Sequence, residues 1–505
     1  MTLLLGIDIG TSGSKGVLVR DDGALVAQAA REHPTATPAP GRFEHDAQAV
    51  WWADFAALTA ELLAAAPAGE RVAAVGVSGI GPCLLPVGAD GTPLRPAILY
   101  GVDTRAGRQI ADQRDRYGER EVLRRCGSPL TSQAIGPKLA WVREAEPAVW
   151  ARTRRWHMAS SYLVHRLTGA YVLDHHSASQ STPLYDLRGG GWIEEWCEEI
   201  APGVEFPRLA WPADVVGEVT REAAAATGLP AGTPVVAGTV DAWAEATAAG
   251  VTAPGDLMLM YGTTMFLVDV VTSPVPGPHL WSTRGTFPGT FCLAGGMATS
   301  GAVTGWLREL TGADFGTLVT EAAATGPGAE GLVMLPYFAG ERTPLFDPDA
   351  RGLVLGLTLR HGRGHLYRAA LEGTAFGVRH HLEAMAAAGG DVRRQVAVGG
   401  GARELWTQIV SDVTGQPQDV PRHTVGAAYG DAFLAAVGTG RAAPGDIAAW
   451  NPVEQTVHPD PATAEVYDEL YAIYRGLYPA TRNAAHALAA RQLNDAGGCP
   501  SQDRS

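Results

Sequence analysis

Two aspartates in this 505-residue chain interrupt apolar runs at turns rich in glycine and hydroxyl side chains. Asp8 lies between two isoleucines in "LLLGIDIGTSGSKGVLV" (3–19), and Gly10, Thr11, Ser12, Gly13 and Ser14 follow it directly. A carboxylate inside a buried strand is costly unless something offsets it. At a strand end beside a phosphate-binding turn, it can hold Mg2+ directly or through water. Asp241 sits in a Gly-Thr-Val-Asp turn ahead of the apolar run "AWAEATAAG". There an aspartate can cap a helix or take a proton from a reacting hydroxyl.

Glycine turns at 10–14, 262–264 and 399–401 each follow an apolar strand. Such turns expose consecutive backbone N–H groups, and glycine lets a phosphate approach the main chain. The hydroxyls of Thr11, Ser12, Thr263 and Thr264 add donors without adding charge. One such turn is as well read as a tight hairpin or a strand-to-helix turn; three in one chain point to a nucleotide. A Walker A loop needs GxxxxGK[ST], and neither Lys15 nor Lys138, the only lysines, supplies it. The GxGxxG and V-A-I-K pair of protein kinases is also absent. In "VGGGARE" (398–404) the glycine spacing is wrong for a dinucleotide fold, although Asp419 stands at a workable distance.

The elements that position these residues read as an α/β fold. Residues 3–9 and 15–20 form two strands around the first turn, "DDG" (21–23) makes a second turn, and "ALVAQAA" continues the meander. Asp46 is an N-cap for a helix over 46–66, and 72–79 is a buried strand. Segment 233–250 is strand, turn and helix. Segment 255–271 then repeats the opening grammar of strand, Gly-Thr-Thr turn and strand. Two similar halves facing each other across a cleft follow from that echo, with domains at 1–249 and 250–485 and a fraying tail at 486–505. In the second half, 365–390 is a long helix with Leu366, Ala370, Phe376, Leu382 and Met385 inward, and 395–415 is strand, triple glycine and helix.

Composition narrows the class. A net charge of −14, with no Lys/Arg cluster among aromatics, argues against nucleic acid as partner. Cys83, Cys126, Cys197, Cys292 and Cys499 are odd in number and scattered, which fits reduced thiols. The N-terminus lacks the basic region of a signal peptide, and no apolar stretch approaches the ~18 residues of a membrane span. A cytoplasmic enzyme without a membrane partner is expected.

The most specific segment is "GLVLGLTLRHGRGHLYRAALEG" (352–373), with Gly352, Val354, Gly356, Leu357, His365, Leu366, Ala369 and Glu372. Together with "MLPYFAGERTP" (334–344), "PKLAW" (137–141), "RPAILY" (95–100) and "GGGARELWTQIVSDVTG" (399–415), it resembles the FGGY family of carbohydrate kinases over residues 3 to 480. The resemblance implies an actin/hexokinase-type, ribonuclease H-like two-domain ATPase fold with an interdomain cleft. It also implies ATP and Mg2+ as cofactors, a sugar or polyol as substrate, and a homodimer as a family-level expectation.

Residue by residue, the resemblance implies that Thr11 and Ser12 approach the terminal phosphate with Lys15 as counter-charge. Asp8 and Asp241 serve Mg2+, and Asp241 is also the general base. Gly262, Thr263, Thr264, Gly301, Gly305, Gly400, Gly401 and Ala402 line the nucleotide side. Ile80, Gly81, Tyr100, Asp103 and Arg105 fall on the sugar side, where Tyr100 stands for the family's Trp and one extra residue intervenes. Xylulose kinases carry Gln-Met-His-Gly, and glycerol kinases Asn-Gln-Arg-Glu, where this chain has Gly79, Ile80, Gly81, Pro82 and Cys83. Block spacing and the "GERTP" form resemble the xylulose kinase branch. The expected substrate is therefore a ketopentose such as D-xylulose, with ribulose, erythritol, glycerol or gluconate as alternatives. A non-kinase actin-fold ATPase is a further alternative. Glu341 with Arg342 reads as a loop ion pair, and Trp306, Trp406, His380 and His381 read as packing residues.

Overall fold

In the strand Thr2–Ile9 (β1), Leu3, Leu4, Leu5, Ile7 and Ile9 are all fully buried, so this strand is covered on both faces. The computed structural model describes residues 2–402 and 404–497; Cys499 and the end of the expected tail, 498–505, lie outside the described residues. The other strands of the first sheet are Gly13–Arg20 (β2), Leu25–Glu32 (β3), Arg71–Gly79 (β4), Val215–Glu218 (β5), Pro234–Val236 (β6) and Thr239–Val240 (β7). Their order is β5-β6-β4-β1-β2-β3, with β7 also paired to β4. β1 to β3 form the antiparallel meander, and β4 runs parallel to β1.

Side chains alternate across β1 with the period of a strand. Leu3, Leu5 and Ile7 pack with Phe55, Leu58 and Leu62 of helix Ala53–Ala64. Leu4 packs with Ala428, Ala432 and Phe433 of helix Ala427–Gly438. Asp8 shares the parity of Leu4 and so faces the same way.

Helix Ala427–Gly438 lies close because glycine stands at every crossing. A Cβ on Gly6 would come within 1.9 Å of the Ala428 carbonyl oxygen. One on Gly76 would come within 2.0 Å of that of Asp431, and one on Gly430 within 1.9 Å of that of Ala244. This helix belongs to a compact unit formed by the chain up to Asp256 together with Val270–Leu293 and Arg422–Pro452. A single cut near residue 250 would assign the last two segments elsewhere.

The second unit is formed by Leu257–Asp269, Ala294–Pro421 and the chain from Val453. Its strands are Asp256–Tyr261 (β8), Met265–Val271 (β9), Phe291–Met297 (β10), Arg394–Val398 (β11), Gln418–Pro421 (β12) and Val453–Val457 (β13), in the order β10-β9-β8-β11-β12-β13. β12 is parallel to β11 and β13 antiparallel to β12. β10-β9-β8-β11 take the places of β3-β2-β1-β4 of the first sheet, so the echo between 3–20 and 255–271 extends to the centre of the sheet; beyond β11 the strands follow in chain order, whereas beyond β4 that order is reversed.

Two expectations need correction. Helix Arg363–Ala387 is buried at every position from Tyr367 to Val378, while Leu366 and Leu382 are only part-buried. Its small residues make the approach: a Cβ on Gly373 would meet the Met334 oxygen at 2.4 Å, and one on Gly377 the Met297 methyl at 2.5 Å. The chain beyond 486 does not fray at once. Helix Ala464–Gly497 continues, with the His486 ring on Asp347 (2.7 Å), Ala489 fully buried and Gln492 accepting from Arg351 (2.8 Å). Cys83, Cys126, Cys197 and Cys292 are free and buried. Among the described residues no helix is long and apolar enough to cross a membrane.

Gly6→Ala is expected to destabilise the protein by about 3 kcal/mol or more, because rigid backbone and not a side chain blocks the new methyl. Gly107→Ala, whose Cβ meets nothing within 4 Å, is expected to stay within about 0.5 kcal/mol of wild type. Chemical denaturation of the two variants checks the difference.

Candidate active site

The register places Lys15, Asp8, Ser78 and Thr239 side by side across β2, β1, β4 and β7. Two residues past Thr239 the chain turns into helix Asp241–Ala248. Val240, not Asp241, is its N-cap; Asp241 is the first helical residue, and its Oδ1 accepts the Ala242 N–H at 2.7 Å. Glu245 follows one turn later, on the same face. Asp431 reaches the same place from helix Ala427–Gly438 and is fully buried.

Ser78 Oγ lies 3.1 Å from Asp8 Oδ1 and 2.7 Å from Asp431 Oδ2. A hydroxyl has one proton to donate, so two ionised carboxylates cannot both receive it. Burial and the charge of Asp8 push Asp431 well above the usual carboxylate range. The Ser78 hydroxyl thus lies between two acids that compete for its proton, with the shorter contact to Asp431. Asp8 and Asp241 are both raised, Asp8 by burial and then by the charge of Asp241, and Asp241 by burial. Burial and Asp241 together push Glu245 up to about 7. Lys15, which opposes these charges, is itself exposed. Such a site can take up a proton or accept a cation, since either relieves the repulsion.

The turn after β1 is closed by the Gly10 N–H on the Gly13 carbonyl (3.0 Å), and the Thr11 hydroxyl lies 3.4 Å from that of Tyr100. A cavity of about 1070 Å³ is lined by Asp8, Gly10 to Lys15 and residues 30–34. Ile80 is buried, and a Cβ on Gly81 would lie 2.7 Å from Val240, the residue before Asp241. Asp103 and Arg105 are buried against each other: the guanidinium binds Asp103 (2.8 Å) and Glu44 (2.7 Å) over the Trp141 ring.

The second unit has its own cavity, of about 1090 Å³, lined among others by Tyr261, Gly262, Thr263, Gly301, Thr304, Gly400, Gly401, Ala402 and Trp406. Backbone bonds knit its walls: Gly301 N–H to the Gly262 carbonyl (3.0 Å), Ala302 N–H to that of Thr263 (3.0 Å) and Gly401 N–H to that of Tyr261 (3.0 Å). At Gly399, φ is +93° and a Cβ would lie 2.6 Å from the Tyr261 oxygen, so only glycine fits that turn. A Cβ on Gly400 would meet nothing within 4 Å, which leaves its backbone open to a close-lying ligand. Thr264, in the turn at 262–264, and Gly305, in helix Gly301–Thr311, do not line the cavity.

Several packing expectations are refined. Trp406 lines the cavity while its Nε1 donates to Thr374 Oγ1 (3.0 Å), whereas Trp306 is 42% exposed and leans on Phe338. Glu341 is buried, and its Oε1 accepts the backbone N–H groups of Ala298 and Arg342, both at 2.7 Å, so its acceptor atom serves two amides and not a surface ion pair. His381 is buried between Thr343 and the Gly377 carbonyl.

Sequence reasoning missed Ser78, Glu245 and Asp431. Asp431 is the only charged residue in "AAYGDAFLAAVG", the same signal that singled out Asp8.

Family models describing the N-terminal and C-terminal domains of the FGGY family of carbohydrate kinases match residues 3–248 and 257–439. A xylulose kinase of Lactococcus lactis subsp. lactis is 30% identical over 98% of this chain and 100% of its own length. A glycerol kinase of Gloeobacter violaceus is 34% identical over 86% of this chain and 88% of its own. The crystal structure of xylulose kinase from Rhodospirillum rubrum superposes with a TM-score of 0.89 at 34% identity, covering 96% of this chain and all of that one. With both domain models matched in order and relatives this similar over nearly its whole length, the chain belongs to the FGGY family of carbohydrate kinases.

Proposed function

We propose that this kinase transfers the terminal phosphate of ATP to a hydroxyl of a ketopentose, with D-xylulose as the first candidate and Asp241 as the general base. The observation that carries the reading is the grouping of Asp241 with Asp8 around Ser78 at the ends of β1, β4 and β7. Xylulose kinases among the relatives support the sugar, and a glycerol kinase at similar identity keeps a smaller polyol as the second reading. Residues 79–83 bring no charged or amide side chain to read hydroxyls, so the substrate has to be found by assay.

Phosphoryl transfer needs placement and charge neutralisation more than covalent chemistry. Asp241 accepts the hydroxyl proton as the sugar oxygen attacks the phosphorus, and ADP leaves. A carboxylate raised toward neutral pH suits that role, since a base works best near the ambient pH. Thr11 and Ser12 offer amides and hydroxyls to the terminal phosphate, with Lys15 as counter-charge. The cavity bounded by Gly262, Thr263, Gly301, Gly400, Gly401 and Ala402 accommodates the nucleotide, with Thr264 and Gly305 supporting its walls.

The donor set at Asp8 fits Mg2+. Crowded carboxylates opposed only by an exposed lysine gain from a divalent cation. Among the described residues no three His, Cys, Asp or Glu side chains are grouped to cage an ion. Asp8, with Asp241 nearby, would hold such an ion with few protein ligands, leaving room for water and phosphate oxygens. When bound, the cation neutralises charge on the phosphates.

An ADP-release screen over pentuloses, hexuloses, tetritols, glycerol and aldonates tests the assignment; release without dependence on any of them overturns it. Asp241→Ala is expected to bind ATP normally and retain less than about a hundredth of wild-type turnover on the best sugar. Turnover above that level removes Asp241 from the role of base. A second outcome concerns stability. The folded state holds protons on these acids more tightly than the unfolded chain does, so the cluster's contribution falls as pH rises from the ordinary carboxylate range through about 7. Mg2+ is therefore expected to raise the melting temperature more at about pH 8 than at about pH 5 in wild type, and to do so much less in Asp8→Asn. Equal shifts in both proteins would rule out Asp8 as the ligand.

A further inference from the structure

Residues 33–35, just past β3, grip the turn after β1 through three successive carbonyls. The His33 ring Nε2 lies 3.2 Å from the Gly10 oxygen, Thr35 Oγ1 donates to the Thr11 oxygen (2.8 Å), and the His33 N–H donates to the Ser12 oxygen (3.1 Å). In a planar trans peptide the C=O of one residue and the N–H of the next point in opposite directions. Drawing the Gly10 and Thr11 carbonyls toward 33–35 therefore turns the Thr11 and Ser12 N–H groups away from that support. Neither of those amides donates to a backbone carbonyl among the described residues.

The charge beneath the turn follows from counting protons. Asp54 Oδ2, on helix Ala53–Ala64, accepts from Ser14 Oγ (2.7 Å) and faces His33 Nδ1 (2.7 Å). The Gly10 carbonyl can only accept, and Ser14 Oγ, 3.4 Å from Nδ1, gives its proton to Asp54; with an Asp54 carboxylate accepting at Nδ1 the ring donates from both nitrogens and is an imidazolium. Its neighbour His45 is the opposite case. His45 Nδ1 accepts from Trp51 Nε1 (3.1 Å), and its Nε2 donates to Thr35 Oγ1 (3.0 Å), whose own proton is committed to Thr11. That ring carries one proton and no charge, and burial followed by the charge of His33 pushes His45 down to about 4.

We propose that His33 and Asp54 are a positioning pair for phosphoryl transfer: the imidazolium, fixed by Asp54, holds the Gly10 carbonyl, so orients the Thr11 N–H, and sets a positive charge beneath the phosphate turn. The proposal rests on reading 10–14 as that turn. Neither residue touches the substrate; His33 acts through the Gly10 carbonyl, and Asp54 through the His33 ring and Ser14.

The test uses His33→Gln, which keeps one donor without the charge, and Asp54→Asn. In both, kcat is expected to fall about tenfold or more while KM for the sugar stays within about twofold, because the loss falls on charge and alignment at the phosphate. Nitrogen-15 NMR of the full-length wild type is expected to show both His33 ring nitrogens protonated at neutral pH, and only one in Asp54→Asn. A neutral His33 ring in wild type, or unchanged kcat in the folded His33→Gln protein, overturns the proposal. If His33→Gln does not fold, kcat of Asp54→Asn and the wild-type spectrum decide. A wild type inert toward every sugar overturns the phosphate-turn reading and the role of the pair with it. An active wild type matched by His33→Gln overturns the pair alone.

Discussion

The first unit depends on keeping like charges together out of water. Asp8, Asp241, Glu245 and Asp431 all sense one another or burial strongly enough to be raised. A cluster of this kind persists only if protons or cations occupy it and the surrounding backbone leaves it no way to relax. Gly6, Gly76 and Gly430 supply that constraint. They let helix Ala427–Gly438 lie against β1, β4 and helix Asp241–Ala248 at distances no side chain allows, and so carry Asp431 to Ser78. Removing a carboxylate would relieve repulsion and aid stability, so the cluster's retention in the fold speaks for chemistry and not for packing.

The glycine turns follow a different economy of charge. The turns at 10–14 and 262–264 offer amides and hydroxyls, and the turn at 399–401 offers glycine backbone. Donors of this kind can hold an anion with little added charge, Lys15 beside Asp8 being the exposed exception. The other positive charge, at His33, sits behind the turn and is paired with Asp54. Both sheets share the order of their first four strands, so each unit has a turn between its first two antiparallel strands.

Much of this was legible in the sequence because its signals are local. A charged residue inside an apolar strand, a glycine-hydroxyl turn after it, and the recurrence of that grammar at 255–271 gave the fold class, both turns and the two aspartates. What escaped depends on contacts between distant segments. Ser78 and Asp431 are 353 residues apart, and neither sits in a motif. The passage of 422–452 into the first unit has no local mark, since helix Ala427–Gly438 reads like any other apolar helix. Periodicity also misled within helix Arg363–Ala387, where burial on all sides erases the stripe that an amphipathic reading needs.

Asp103 and Arg105 show the converse, a sequence match whose geometry turns inward. Their charges are spent on each other and on Glu44, under cover of Trp141. A guanidinium committed to two carboxylates in a buried site can touch a sugar only by giving up bonds it already has, and that exchange is unfavourable unless the new partner is equally charged. A neutral polyol cannot offer such a partner; an aldonate carboxylate can. The pair is thus satisfied from within the fold, and its charges hold Asp103, Arg105 and Glu44 together over Trp141.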